Sequence, residues 1–318
     1  MTTLDDLDVR IVGALQVNGR ASWRAIAQAL AQSERTVARR GVRLLESGVV
    51  RVTGLENFAE TVVVRVQCQP GQAPHAAAAL AARDDVVFSC TVTGAAEVIG
   101  ELQCPADELH DLAFVDLPAL PGFVRQELAP VLHYARTARE WQPGLLTEEE
   151  TALLRPAPAP VQGPTPVPGE QSEDERAILR ALAGNGRLTH EELAALAGVS
   201  KATAGRRVEA LLAQARVAIR AVVEPAVIGL PVEALTLARI RPGSLERTVE
   251  ALVRDPSVRY AAEVMGEFQL LINTAHPTRA ALRDFLADRS WADGAEEALS
   301  SLVLRSYRRG GMPAVRRG

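Results

Sequence analysis

Two short stretches hold most of the side chains with chemistry to offer. The first, 33-SERTVARRGVR-43, sets Arg35, Arg39, Arg40 and Arg43 behind Ser33 and Thr36. The second, 200-SKATAGRR-207, sets Lys201, Arg206 and Arg207 behind Ser200 and Thr203. A guanidinium is a planar fork that binds phosphate, or the O6/N7 edge of guanine, through two parallel hydrogen bonds. A serine at a helix N-terminus caps one backbone N–H and leaves others facing outward, where a phosphate can meet them. Together these groups predict a surface that binds double-stranded DNA. The chain as a whole carries a net charge of −4. Binding, however, answers to local charge, and each stretch is a basic island. A plain three-helix bundle with a solvated basic face would explain one such stretch; two in register argue for reading helices.

Other chemistry is not signalled. The histidines (His75, His110, His133, His190, His276) are scattered, and no Ser-His-Asp set or paired carboxylates stand out. Cys68, Cys90 and Cys104 lack metal-ligand spacing, so they read as reduced, buried thiols of a cytoplasmic protein. No catalytic residue, metal site or cofactor is therefore expected. No run of about 18 apolar residues offers a membrane span, and the acidic start MTTLDDLDVR does not look like a signal peptide.

The elements that position the basic stretches are repeated. Asn18/Asn185, Gly19/Gly186, Arg20/Arg187, Ser33/Ser200, Arg39/Arg206 and Leu44/Leu211 all recur at an offset of 167. In the first copy, Leu4, Leu7, Ile11, Ala14 and Leu15 share one helical face, which Asn18-Gly19 ends. Ser22 caps a second helix with Trp23, Ile26, Ala27 and Leu30 inward, and Ser33 caps a third with Val37, Leu44 and Leu45 inward. The second copy repeats this with Ile178, Leu182, Thr189, Leu193, Leu196 and Ser200. Its turn, 197-AGVS-200, has Gly198 free to take a positive φ, as a helix-turn-helix requires. The first copy has Ala31-Gln32 there, so its turn is strained or differently built. Gly41 and Gly205 fall inside the third helices, where glycine is costly.

After each helical set comes a strand–helix–strand–strand–helix–strand pattern. The first covers 61–67, 73–83, 86–94, 96–104, 105–117 and 124–134, and the second 234–241, 244–254, 258–266, 267–274, 277–289 and 295–307. The offset there is 172, as in Gly94/Gly266 and Gly122/Gly294. This βαββαβ order is ferredoxin-like, with both helices on one face of an antiparallel sheet and the other face in need of a second sheet. The fold class is α+β: two tandem copies of a winged-helix-like helix-turn-helix followed by a βαββαβ module. Boundaries are expected at 1–54 and 172–224 for the helical domains and at 58–140 and 230–309 for the α/β domains. Between them lies a linker at 141–171, proline-rich at 156-PAPAPVQGPTPVP-168, with a short helix at 148–155 leading into it. A basic tail occupies 310–318.

A helix-turn-helix followed by βαββαβ resembles the Lrp/AsnC (leucine-responsive/asparagine regulator) family of transcription regulators. The residues carrying the resemblance are 15-LQVNGR-20, 33-SERTVARRGVRLLESGVV-50, 185-NGR-187, 198-GVSKATAGRRVEALL-212, 224-EPAVIG-229 and the hairpin glycines Gly94 and Gly266. It implies a DNA-binding regulator, homo-oligomeric through its α/β domains, with an amino acid or similar metabolite bound near the hairpin between the second and third strands. The family pattern there is glycine, acid, aromatic, acid. The second copy keeps Gly266, Glu267 and Phe268 but has Gln269, and the first keeps Gly94 and little else. Gly266 and Phe268 also suit a plain hairpin and a core position. Fusion of two copies implies an intramolecular pseudo-dimer with unlike reading helices. Two alternatives stand beside this reading. One is a metabolite-binding or assembly protein without DNA contact. The other is an enzyme resembling sirohaem decarboxylases, which use histidine and arginine near the first α/β strand. Here that strand carries Arg65 in one copy and Arg239 and Arg241 in the other, with no histidine beside them.

Overall fold

The computed structural model describes residues 4–56, 60–94, 97–138, 140–155, 172–214 and 216–314. The proline-rich stretch 156–168, the tail residues 315–318 and Ala95-Ala96 of the first hairpin lie outside these. The described chain divides into two compact units, one formed by 1–59 with 144–224 and the other by 60–143 with 225–318.

The first unit gathers both helical sets. It contains α1 (Asp6–Val17), α2 (Trp23–Ala29), α3 (Glu34–Glu46) and β1 (Val50–Glu56) from the first copy. The second copy supplies α7 (Glu173–Gly184), α8 (His190–Ala197), α9 (Lys201–Ala213) and β6 (Val217–Val223). The predicted caps are in place: Ser22, Ser33, Thr189 and Ser200 each accept a backbone N–H of the first turn. Ile11, Ile26, Val37 and Leu44 are buried in one set, and Ile178, Leu182, Leu193 and Val208 in the other. Leu196 departs from expectation, because it is exposed.

The strand after each third helix does not fold back as a wing of its own copy. Instead, β1 and β6 pair with each other antiparallel, from Val50↔Val223 to Glu56↔Val217. Each strand also packs against the first helix of the opposite copy. The Thr53 hydroxyl donates to the Ala183 carbonyl of α7 at 2.7 Å, and Gly54 lies so close to Leu182 that a Cβ would stand 2.9 Å from it. The region expected to be linker holds a further docked helix, α6 (Glu148–Leu154). Arg10 of α1 bonds Glu150, Asn18 donates to the Leu154 carbonyl at 3.2 Å, and Gly13 makes room for Leu145 and Leu146.

The second unit contains both α/β sets. The first is β2 (Thr61–Cys68), α4 (Ala73–Ala81), β3 (Val86–Val92), β4 (Val98–Gln103), α5 (Leu109–Asp111) and β5 (Phe123–Arg136). The second is β7 (Val232–Ile240), α10 (Leu245–Arg254), β8 (Val258–Val264), β9 (Leu270–His276), α11 (Arg279–Leu286), α12 (Arg289–Ala292) and β10 (Ala295–Arg309), ending in β11 (Met312–Pro313). The helix expected at 105–117 is broken into a 3-10 turn, the single turn α5 and a π turn at Leu112–Asp116.

The two long strands join the sheets. β5 pairs with β2 through its first half and with β8 through its second, while β10 pairs with β7 and then with β3. Eight strands thus close a circuit, β10-β3-β4-β2-β5-β8-β9-β7 and back to β10. Closure leaves no bare edge within the circuit. The face that a lone module would leave open is buried: Val63, Ile99, Leu235, Leu237, Ala262, Phe268 and Leu271 meet between the sheets. Near the end of each long strand an arginine caps a helix of the other module. Arg136 donates to the carbonyls of Asp255 and Val258, and Arg308 to that of Ala81. Cys68, Cys90 and Cys104 are buried free thiols, and burial pushes Cys90 up to about 12.

Candidate nucleic-acid interface

Both third helices begin the same way. Ser33 accepts the Thr36 amide at 3.2 Å, with the two hydroxyls 2.8 Å apart. Ser200 and Thr203 repeat this at 3.1 and 2.9 Å. The preceding turns also match. Gln32 N–H reaches the Ala27 carbonyl and Val199 N–H the Ala194 carbonyl, at 2.9 and 3.1 Å. In the second copy Gly198 closes this turn at φ 66. In the first copy Ala31 does so at φ 51, the only non-glycine residue with positive φ among the described residues. The first turn is therefore strained, not rebuilt.

The basic residues divide into two groups. Arg35 and Arg39 stand exposed one turn apart on α3, and Arg206 stands exposed on α9. Lys201 is also exposed and pairs loosely with Glu191 at 3.2 Å. Arg40 and Arg207 do not face outward in this way. Arg40 bonds Asp5 and Asp8, and Arg207 bonds Asp174 and Ser172. Asp5 and Ser172 are the caps of α1 and α7. These two arginines tie the third helix to the start of the first in their own copy. Arg43 joins the same acid, 2.6 Å from Asp8, although its side chain is 60% exposed. The Arg40 hydrogen bond holds the Asp5 carboxyl below the usual carboxylate range. The outward-facing basic group is thus Arg35, Arg39, Lys201 and Arg206, with Ser33, Thr36, Ser200 and Thr203 at the starts of the same helices. Sequence reasoning passed over Arg24, exposed in the first turn of α2.

The glycines inside these helices have a packing reason. A Cβ on Gly41 would overlap the Trp23 ring, whereas on Gly205 it would stand 3.0 Å from His190 Nδ1.

The Asn-Gly-Arg triplets, read from sequence as helix ends, also connect the two copies. Asn18 and Asn185 accept the amides of Arg20 and Arg187 at 3.1 and 2.9 Å, an Asx turn that aims each arginine at the other copy. Arg20 then donates to the carbonyls of Gly186 and Leu188, at 2.6 and 2.9 Å. Arg187 donates to those of Gly19 and Ala21, at 2.6 and 3.0 Å, and lies 4.5 Å from the centre of the Trp23 ring. Burial pulls both guanidiniums below their ordinary pKa, and Arg20 adds to the effect on Arg187.

The hairpins of the α/β modules are arranged alike. Gly94 and Gly266 take φ 104 and 151, and the residue before each donates its amide to a long strand, Thr93 to Leu302 and Met265 to Pro130. Glu267 is exposed and paired with Arg239 at 2.6 Å. Phe268 is buried between the sheets, with the Arg65 and Arg239 guanidiniums 5.8 and 5.6 Å from its ring centre.

The AsnC-type helix-turn-helix domain matches this chain twice, over residues 4–45 and 173–212. An uncharacterised HTH-type transcriptional regulator of Pyrococcus furiosus, PF1231, is 31% identical over 115 residues, 34% of this chain and 76% of that one. The chain belongs to the Lrp/AsnC family. A second regulator of the same organism, FL11, is 21% identical over 42% of this chain and 89% of its own. Among solved structures, the siroheme decarboxylase NirDL superposes with a TM-score of 0.64 over 97% of this chain and 94% of its own, at 12% identity. At that identity the likeness is one of fold. Both helical sets of this Lrp/AsnC chain thus fall inside the matched domain, and each match takes in the Asn-Gly-Arg triplet and the cap of the third helix.

Proposed function

We propose that this chain is a cytoplasmic, sequence-specific DNA-binding transcription regulator acting as an intramolecular pseudo-dimer, with α3 and α9 each reading one half-site. The observation that carries the reading is the outward group Arg35, Arg39, Lys201 and Arg206 on two serine-capped helices within AsnC-type domains. The half-sites are unequal on this view. Arg39 has a counterpart in Arg206, but Arg35 is matched by Ala202, and Arg24 by Glu191. The first copy therefore supplies more of the phosphate contact. Replacing Arg35 and Arg39 by alanine should weaken binding to genomic fragments and shallow the salt slope by about one unit per lost phosphate contact. Replacing Lys201 and Arg206 should do so less. Binding that ignores both double variants would sink the proposal and favour a metabolite-binding protein.

Control by an amino acid is a further part of this reading, and the second hairpin carries it. Glu267 is the acid available there, since Phe268 is committed to the core. Calorimetry with an amino-acid pool against wild type and Glu267→Ala tests it. Homo-oligomerisation through the α/β modules belongs to the same reading. It is supported by Phe114 and Val115, exposed at 70% and 59%, and is read by sedimentation velocity.

The NirDL superposition favours one other reading, an enzyme acting on a sirohaem-type macrocycle; NirDL itself is also solved with an iron-uroporphyrin III analogue. Against it, Arg65 faces Glu127 and Phe268, and Arg239 faces Glu267, Glu297 and Phe268. His276 instead packs against Phe285, and His133 pairs with Glu263 at the surface. A shifted Soret band on mixing with iron uroporphyrin would support the enzyme.

A further inference from the structure

We propose that Arg20 and Arg187 are positioning residues that set the placement of α3 relative to α9, and so the spacing of the two half-sites the chain accepts. This rests on the DNA-reading proposal above. The two helical sets are joined first by the β1–β6 ribbon. A two-stranded ribbon twists easily and gives marginal stability alone. Packing of β1 on the opposite copy's first helix is a second attachment, and the arginine clasp adds a third, built on the loops that lead straight into α2 and α8. Those helices pack on α3 and α9, Trp23 against Gly41 and His190 against Gly205, so a loop fixed in place fixes its reading helix. The glycines of the triplets keep the loops on the ribbon. A Cβ on Gly19 would come 2.9 Å from Val52, and one on Gly186 3.0 Å from Ile219.

The clasp depends on shape as well as charge. Each guanidinium spans two carbonyls of the opposite loop with two separate nitrogens, which a lysine ammonium on its flexible stem cannot hold in one fixed geometry. Arg187 also stacks on Trp23, which joins the second copy's loop to the first copy's reading unit. The arrangement is reciprocal, so the loops are held from both sides.

The test uses the full chain and duplexes carrying two enriched half-sites whose separation is changed base pair by base pair. A shift of half a helical turn places the second half-site on the wrong face. Wild type should lose about tenfold or more in affinity there, because the second contact no longer adds to the first. Arg20→Lys/Arg187→Lys should stay within about threefold of wild type at the best spacing and show a flattened dependence elsewhere. Should that variant not fold by circular dichroism, the single variants Arg20→Lys and Arg187→Lys give the same comparison one half of the clasp at a time. A folded variant with the wild-type spacing profile overturns the clasp and leaves DNA reading standing. Wild type that binds no duplex at any spacing overturns DNA reading, and the positioning role falls with it.

Discussion

The two copies bury a carboxylate in the β-circuit at matching places and give it unlike partners. In the first, Thr61 on β2 and Glu101 on β4 occupy the positions that Glu233 on β7 and Asn273 on β9 fill in the second, so the acid has changed strands. Glu101 receives the Tyr134 hydroxyl, which also meets Thr61 at 2.6 Å. Tyr260 of the second module packs edge-on against Tyr134 at 5.9 Å. Glu233 is instead clamped by both nitrogens of Arg309, at 3.0 and 2.8 Å, and by Arg259 at 2.9 Å. Two identical chains must place the same side chain at both sites. A duplicated chain can place a hydroxyl network at one and an ion cluster at the other. Tyr260 stands where the first copy has Phe88.

The largest expected effects lie here. Glu233→Gln leaves two buried guanidiniums facing a neutral amide and should destabilise the protein by about 3–5 kcal/mol in urea unfolding. Glu101→Gln keeps an acceptor for the Tyr134 hydroxyl and should cost about 1 kcal/mol. Equal losses would mean that the two sites are not chemically distinct. Acid separates them further. Burial opposes the Glu233 charge, but Arg309 and Arg259 outweigh it and hold the carboxyl at about 2, below its ordinary 4.5. A depressed carboxyl contributes stability that is present above its unfolded pKa and lost as pH falls through the folded value. The window is therefore from about 4.5 down to about 2, and the loss roughly 2–4 kcal/mol. Thermal midpoints across that range should fall more steeply for wild type than for Glu233→Gln.

Next comes the packing of α3 and α9. Gly41→Ala drives a methyl into the Trp23 ring. The overpacking costs about 1–3 kcal/mol against a helix-propensity gain of about 1, so a net loss of up to about 2 kcal/mol is expected. At Gly205 the neighbour is the edge of His190 at 3.0 Å, which can turn aside. Gly205→Ala should be neutral or slightly stabilising by thermal unfolding. A loss at Gly205 equal to that at Gly41 would break the comparison.

Periodicity and capping residues made the elements legible, because a helix cap and an alternating strand are local events. The helix-turn-helix pairs, the βαββαβ order and the need for a second sheet were all visible in that way. What joins the two copies was not, since partners far apart in sequence leave no periodic trace. Nothing local in 217-VAIRAVV-223 says that it pairs with Val50–Glu56 rather than folding as a wing. Nor does a lone arginine announce that it will cap the other module's helix, as Arg136 and Arg308 do. The outward Arg35 and Arg39 could be read from sequence, but Arg40 and Arg207 could not be separated from them. All are basic residues on one helix, and only the acids and caps of the first helix draw two of them inward. The recurrence of Asn-Gly-Arg was itself a signal, because a helix stop alone does not require the arginine.

The smallest effect tests the one strained turn. Ala31 holds φ 51 where Gly198 holds φ 66, and both turns keep the same hydrogen bond to the second helix. A left-handed conformation costs an alanine about 1 kcal/mol more than a glycine, while glycine gives back some of that through the entropy of the unfolded chain. Ala31→Gly should therefore stabilise the first helical set by about 0.5 kcal/mol, and Gly198→Ala should destabilise the second by about 1 kcal/mol. Hydrogen exchange of the α2 and α8 amides reports each set separately. If Ala31→Gly instead speeds exchange across α2 and α3, the alanine methyl is packing against something that outweighs its strain. The first turn would then be a distinct design, not a strained version of the second.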